Sequence, residues 1–150
     1  MSNLTRAARS AAEEPIKPKR GDIWHVDLGE TVGSEIQSRK TDERGKIISK
    51  TRPVLVLSRP KIGEKSVCLC APISDYKPDR DMLRFWRVEI GDTRENGLDK
   101  MSCIDVSQTR ALDVQRFIKE SGRAHPAEIQ GAADALAECV GVIPEKPQTE

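Results

Sequence analysis

One stretch confines the fold more than any other: Lys50-Thr51-Arg52-Pro53-Val54-Leu55-Val56-Leu57-Ser58. Proline fixes φ and has no N–H to give to a ladder, so it suits the first residue of a strand. The four β-favouring aliphatics that follow are too few for an independent helix and read as a strand buried on both faces. Arg52 is thereby set at the rim of a sheet, where loop meets strand and a charge can face solvent. A second strong strand, Ser66–Ser74, ends at Pro72 and the hydroxyl of Ser74.

Three further runs carry strand signals. Ile23–Leu28 alternates, placing Trp24, Val26 and Leu28 on one face and Ile23, His25 and Asp27 on a polar one, so a half-buried strand is expected. On that face His25 reads as a solvated strand residue. Leu83–Ile90, with Phe85 and Trp86, and Met101–Val106 complete the set, and Asn96-Gly97 between them is a turn signal. Asp113–Lys119 reads as a short helical turn. Pro126 and Glu128 then open an amphipathic helix striped by Ile129, Ala132, Ala133, Leu136 and Val140, which Pro144 closes. Five strands of similar length, joined by turns such as Pro60–Lys65 and followed by a helix, predict a mainly β (α+β) fold. The expected architecture is a small antiparallel barrel with a C-terminal amphipathic helix.

Length and composition set the outer limits. A chain of 150 residues, 37 % hydrophobic and 33 % charged, suits one soluble domain with a modest core. The expected layout is a mobile leader over 1–19, a barrel domain over 20–143 and a tail over 144–150. Within the domain, 36–51 is a long excursion without periodicity, carrying Arg39, Lys40, Arg44, Lys46 and Lys50 against Asp42 and Glu43. Loops of that length are commonly functional. The 25 basic and 24 acidic residues nearly cancel, so a polyanion would have to be held by a local patch such as this one. Cys68, Cys70, Cys103 and Cys139 show neither a CxxC pair nor a nearby histidine, and are expected as buried reduced thiols rather than a zinc site. With no signal-peptide core and no apolar run of about 20 residues, a cytoplasmic protein without a membrane span is expected.

Taken in order, Arg20-Gly21-Asp22-Ile23-Trp24, Val32-Gly33-Ser34-Glu35, Thr51-Arg52-Pro53-Val54-Leu55-Val56, Ala71-Pro72-Ile73-Ser74, Asn96-Gly97-Leu98 and Gln108-Thr109-Arg110-Ala111-Leu112-Asp113 resemble the MazF/PemK/Kid group of toxin endoribonucleases. The resemblance runs from about residue 19 to residue 142. It implies an SH3-like five-stranded barrel, a homodimer, cleavage of single-stranded RNA without metal or other cofactor, and restraint by a cognate antitoxin protein. It carries the catalytic roles onto Arg52 and Ser74. Glu35, Lys50, Thr51, Asp75, Gln108 and Arg110 become the RNA-contacting set. Ser74 stands where threonine is usual, which keeps the hydroxyl and loses a rotamer-restricting methyl. Ser107 stands where an acid, assigned as general base in part of the family, often precedes the glutamine. That role does not carry over, and Asp75 and Asp105 are the carboxylates that remain to be placed. The loop between Glu35 and Arg52 is also about a dozen residues longer than in well-known members of the family, judged against ordinary loop lengths.

The chemistry implied is that of an endoribonuclease of the mRNA interferase type. The 2′-hydroxyl attacks the adjacent phosphorus and expels the 5′-oxygen, leaving a 2′,3′-cyclic phosphate and a 5′-hydroxyl. A guanidinium offers planar donors to the pentavalent oxygens, which suits Arg52, and Ser74 hydrogen-bonds the same phosphate. Gln108 and Arg110 have a second reading, tying the loop to the barrel. Because fold does not fix function, two alternatives stand beside the ribonuclease: an inactive RNA- or DNA-binding module, and a gyrase-poisoning toxin of similar architecture.

Overall fold

The computed structural model describes residues 16–59 and 66–142. The leader up to residue 15, the turn at Pro60–Lys65 and the tail with Pro144 lie outside the described residues. The elements are β1 (Asp22–Val26), β2 (Lys40–Thr41), β3 (Ile47–Ser49), β4 (Arg52–Val56), β5 (Val67–Asp75), α1 (Pro78–Asp81), β6 (Arg87–Ile90), β7 (Ser102–Asp105), β8 (Arg110–Asp113), β9 (Phe117–Arg123) and α2 (Pro126–Cys139). Single 3-10 turns occupy Val106–Gln108 and Val114–Arg116.

The main sheet is antiparallel and seven-stranded, in the order β6-β7-β5-β4-β1-β9, with β8 also on β5. It is mainly β with a C-terminal helix, as expected, but it does not close: among the described residues no ladder joins β8 to β9. Strand β5 is the hinge of this arrangement. Its first half, Val67–Cys70, pairs with β8, and its last three residues, Ile73–Asp75, pair with β7. Its other edge takes β4 at Cys70–Pro72.

The unbroken aliphatic run of β4 is buried on both faces. Leu55 and Leu57 join a core under α2 with Ile23, Ile73, Ile90, Ile104, Ile129 and Ala132. Val54 and Val56 point the other way, to Val26, Cys68, Cys70, Leu112 and Phe117. Trp24 meets the ring of Phe117 edge-on, with centroids 5.6 Å apart. Each large aliphatic side chain buried this way contributes about 1.5–3 kcal/mol.

Several sequence expectations are corrected. The Ile23 side of β1 is not a polar face, because α2 covers it and Ile23 is fully buried. The strand expected over Leu83–Ile90 shrinks to β6; Leu83 and Phe85 are 96 % and 50 % exposed on the turn after α1. Ion pairs from Asp81 to Arg80 and Arg87 hold that turn. The helical turn expected over Asp113–Lys119 stops at Arg116, and β9 follows. Two register shifts against β1 and a largely exposed outer face break the period-two signal there. The 36–51 excursion is partly a hairpin: Lys40 pairs with Ser49 and Thr41 with Ile47, around a turn in which Asp42 Oδ1 accepts from the N–H groups of Arg44 and Lys46. Cys68, Cys70 and Cys103 are buried as free thiols, whereas Cys139 is exposed on the last turn of α2. That helix is capped by His125, whose Nδ1 accepts from Ala127 N–H while Glu128 Oε1 accepts from His125 N–H. Its buried residues are Ile129, Ala132 and Ala135, and Val140 is 70 % exposed.

The Asn96-Gly97 turn forms where the sequence places it. Buried Asn96 accepts from the N–H groups of Thr93 and Leu98 and donates to the carbonyl of Gly91. Gly97 has φ +70°, and a Cβ there would lie 2.2 Å from the Ser121 carbonyl oxygen of β9. Gly33 also has positive φ, +56°, but open space around it. Gly97→Ala is therefore expected to destabilise the chain by about 3 kcal/mol. Gly33→Ala adds only the left-handed backbone penalty of about 1 kcal/mol. Equal shifts in the two denaturation midpoints would refute this account.

Candidate functional site

Arg52 is the first residue of β4, and the chain reaches it through a compact approach in which Thr51 N–H donates to Ser49 Oγ. Two backbone carbonyls hold the guanidinium. Nε donates to Gln37 O at 2.5 Å, and Nη1 donates to Ile73 O at 3.1 Å. One comes from the excursion and the other from β5, so the group is clamped between loop and sheet. Burial lowers its pKa below the ordinary arginine value, and Asp75 opposes the shift. Neither partner is a carboxylate, which leaves the positive charge uncompensated within the clamp.

A cleft of about 330 Å³ opens beside this group. Arg52 and Pro53 line it as neighbours, as do Ile73 and Ser74, so the cleft wraps the strand ends and is bordered by successive residues of each strand. Thr51, Asp75, Lys40, Lys100 and His25 complete its functional wall. Ser74, near the end of β5, is half-buried, with Arg80 Nη2 3.5 Å from its hydroxyl and 2.6 Å from the carbonyl of Asp75. The Asp75 carboxylate pairs with Lys100 at 3.1 Å, and side-chain exposures of 60 % and 61 % make that pair weak. The structure thus brings Arg52, Ser74, Thr51 and Asp75 to one cleft. Lys50 is exposed just before it and is not part of the wall.

Glu35, Gln108 and Arg110 line a different cleft, of about 430 Å³, with Ser107. Gln108 is fully engaged there: Oε1 accepts from Ile36 N–H at 3.2 Å and Nε2 donates to Ser34 O at 2.9 Å. Its side chain ties the Gly33–Gln37 segment to the 3-10 turn. Glu35 Oε1 accepts from Val32 N–H at 2.7 Å and closes the turn before it. The two clefts share this segment, since Ile36 bonds Gln108 and the adjacent Gln37 bonds Arg52.

The carboxylates considered for proton transfer separate as well. Asp105 is 1 % exposed and caps the 3-10 turn, accepting from Ser107 N–H and, at 2.5 Å, from Ser107 Oγ–H. Its other oxygen meets Arg87 Nη2 at 3.2 Å. Asp105 therefore belongs to a buried chain of charges, Arg80–Asp81–Arg87–Asp105, and lines neither cleft. Within that chain, the hydrogen bond from Arg80 pulls Asp81 down to about 2, burial opposing it.

Sequence reasoning passed over two residues of the Arg52 cleft region. His25 alternates with Trp24 and Val26 and so reads as a solvated strand residue, yet it lines the cleft. Arg80 sits in a Lys-Pro-Asp-Arg-Asp run that reads as polar loop, and only the fold shows it against Ser74. Among the described residues, no three His, Cys, Asp or Glu side chains converge as metal ligands, and no helix is long and apolar enough to cross a membrane.

Residues 19–140 match the family model described as PemK-like, MazF-like toxin of type II toxin–antitoxin system. No curated protein matches the chain. Among solved structures, MazF from Deinococcus radiodurans superposes with a TM-score of 0.61 at 17 % identity, covering 84 % of this chain and 98 % of that one. An endoribonuclease from a mycobacterial species, in complex with its cognate antitoxin, gives 0.57 at 16 % identity, covering 87 % and 99 %. A MazE–MazF complex from Deinococcus radiodurans gives 0.57 at 16 % identity, covering 84 % and 97 %. At these identities the likeness is one of fold.

The buried charges generate a stability test. Asp81 falls from an ordinary 3.8 to about 2 in the folded chain, so its contribution is present above about pH 4 and is lost as pH falls towards 2. Asp81→Asn takes the anion from Arg80 and one of two from Arg87, which keeps Asp105, and is expected to lower stability by about 2–4 kcal/mol at pH 7. The gap to wild type should narrow between pH 4 and pH 2. A pH-independent gap in denaturant titrations would contradict the assignment.

Proposed function

We propose a function from one established premise: this chain belongs to the family of PemK-like, MazF-like toxins of type II toxin–antitoxin systems. It is a sequence-specific endoribonuclease that cuts single-stranded RNA and is held in check by a cognate antitoxin. The observation that carries this reading is the Arg52 guanidinium, clamped by two carbonyls, with no carboxylate in the clamp, at a cleft it shares with Ser74.

The substrate supplies its own nucleophile. As the 2′-oxygen closes on phosphorus, charge grows on the non-bridging oxygens, and a fixed guanidinium stabilises that charge more than it stabilises the ground state. The Gln37 and Ile73 carbonyls hold Arg52 in place, so its free N–H groups need little reorganisation. Burial makes Arg52 a better proton donor than an exposed arginine, and in this reading it protonates the departing 5′-oxygen. Ser74 hydrogen-bonds the same phosphate, and Arg80 steadies it from behind. The products are a 2′,3′-cyclic phosphate and a 5′-hydroxyl, with no metal in the reaction.

The second cleft reads bases. Arg110 and the free oxygen of Glu35 supply a donor and an acceptor for base edges, which only unpaired RNA presents. Gln108 shapes that cleft by holding its loop. Lys40 and Lys100 in the wall of the Arg52 cleft, with exposed Lys50 just before it, give that cleft a positive cast for the backbone. The same basic surface suits an acidic antitoxin segment that folds on binding, and the protein acts as a homodimer.

The test is cleavage of an unstructured RNA in excess chelator, with both product ends identified. Arg52→Ala is expected to lower the single-turnover rate by at least about 10²-fold. Arg52→Lys should not restore it, because an ammonium lacks the planar fork. Cleavage by Arg52→Ala near the wild-type rate would remove Arg52 from the mechanism. RNA bound in a salt-sensitive way but left intact by the wild type would favour the inactive binding module.

A further inference from the structure

The ribonuclease reading leaves one role empty, the acceptor of the 2′-hydroxyl proton. Ser107 donates to buried Asp105 and lines the other cleft. Arg52 enters the step protonated, as the donor to O5′, and so cannot also take the 2′-proton. Asp75 is engaged with Lys100 at the rim, and carboxylates as a class are weaker bases than a neutral imidazole. The chain has two histidines, and His125 commits its Nδ1 to the cap of α2. The other, His25, lines the Arg52 cleft.

We propose that His25 is the general base of this chain, taking the proton of the 2′-hydroxyl in the cleft where Arg52 holds the phosphate; the assignment rests on the ribonuclease reading above. The ladder sets it one rung from Arg52: His25 lies opposite Pro53 and Val26 opposite Arg52, so the two side chains leave the sheet on opposite faces, and the cleft at the strand ends is the space that both border. The charged groups around His25 come from every neighbouring element. Lys119 faces it across β9, Arg52 stands on β4, Asp75 on β5, Lys40 on the hairpin, and Asp99 and Lys100 on the turn before β7. The half-buried site and Lys119 favour the uncharged ring, with Asp99 opposing, so the imidazole is held in the state that accepts a proton near neutrality.

The step balances without a co-reactant. The O2′–H proton passes to an imidazole nitrogen as the O2′–P bond forms. The P–O5′ bond breaks, and O5′ takes a proton from Arg52. Proton exchange with water then restores both side chains.

Single-turnover cleavage of a short unstructured RNA between pH 5 and pH 8 tests the assignment. The wild-type rate should fall with pH along an acid limb whose midpoint lies below 6.5, the ordinary histidine value. His25→Gln should lose about 10²- to 10³-fold at pH 7.5 and flatten the limb, and added imidazole should recover part of the rate in His25→Ala. A bridging 5′-sulfur makes the leaving group independent of a proton donor, so His25→Gln should stay slow on that substrate; recovery there overturns the base role. In the wild-type chain, the His25 ring resonance should titrate at the kinetic midpoint, a readout that needs no variant to fold. A mismatch, or His25→Gln with an unchanged limb and a rate within a few-fold of wild type, overturns the proposal. Wild-type chain that leaves RNA uncut overturns the ribonuclease reading itself.

Discussion

The change of partner along β5 is the constraint from which the candidate site follows. A strand that gives one edge first to β8 and then to β7 obliges the chain between them to leave the sheet and return. That departure is the 3-10 turn at Val106–Gln108, which delivers Ser107, Gln108 and Arg110 to one cleft. Past the exchange, the last residues of β5 run on beyond its pairing with β4, and there the Ile73 carbonyl is available to Arg52. Both clefts are consequences of how one nine-residue strand satisfies its backbone groups.

A second constraint works against hydrophobic economy. Asp81, Arg87 and Asp105 are withdrawn from water between α1, β6 and β7, although a packed apolar cluster of similar volume is often at least as stable. Arg87 Nε lies buried without a hydrogen-bond partner. What the ions supply is direction: each carboxylate fixes a turn, Asp81 the one after β5 and Asp105 the one after β7. Those turns carry Arg80 to Ser74 and Ser107 to its cleft, so geometry at both sites derives from groups that touch neither.

Local chemistry in the sequence was enough to identify the core strands. Val54–Leu57 announced burial on both faces, Ser66–Ser74 announced a second strand, Asn96-Gly97 announced its turn, and Pro126 with Glu128 announced the helix. What escaped was settled by long-range contact. Strand β9 is polar outward and shifts register against β1, so no period survives in Phe117–Arg123. The hairpin within the excursion was concealed by its charges, and its turn rests on a single aspartate, Asp42. At the candidate site, Pro53 marked Arg52 as the start of a strand and Pro72 set Ser74 near the end of another, while roles for both came only from the family resemblance. His25 was not, because alternation states which face a residue occupies and is silent on whether a cleft opens over that face. Gln108 was legible as a residue of importance, and only the fold shows both ends of its amide committed to the loop.

The dipeptide Ile36-Gln37 is shared property. The N–H of Ile36 answers to Gln108 and the C=O of Gln37 to Arg52, so the two contacts flank a single intervening peptide plane. Under the proposed function, two recognition events that pull on so short a segment are thermodynamically linked, and the linkage is reciprocal: whatever free energy a base gains by shifting that segment is added to or subtracted from the seating of the phosphate. If the proposed function holds, affinity for a particular RNA sequence and speed of reaction on it are not independent quantities, and a loop altered to read a new sequence carries a change of rate with it.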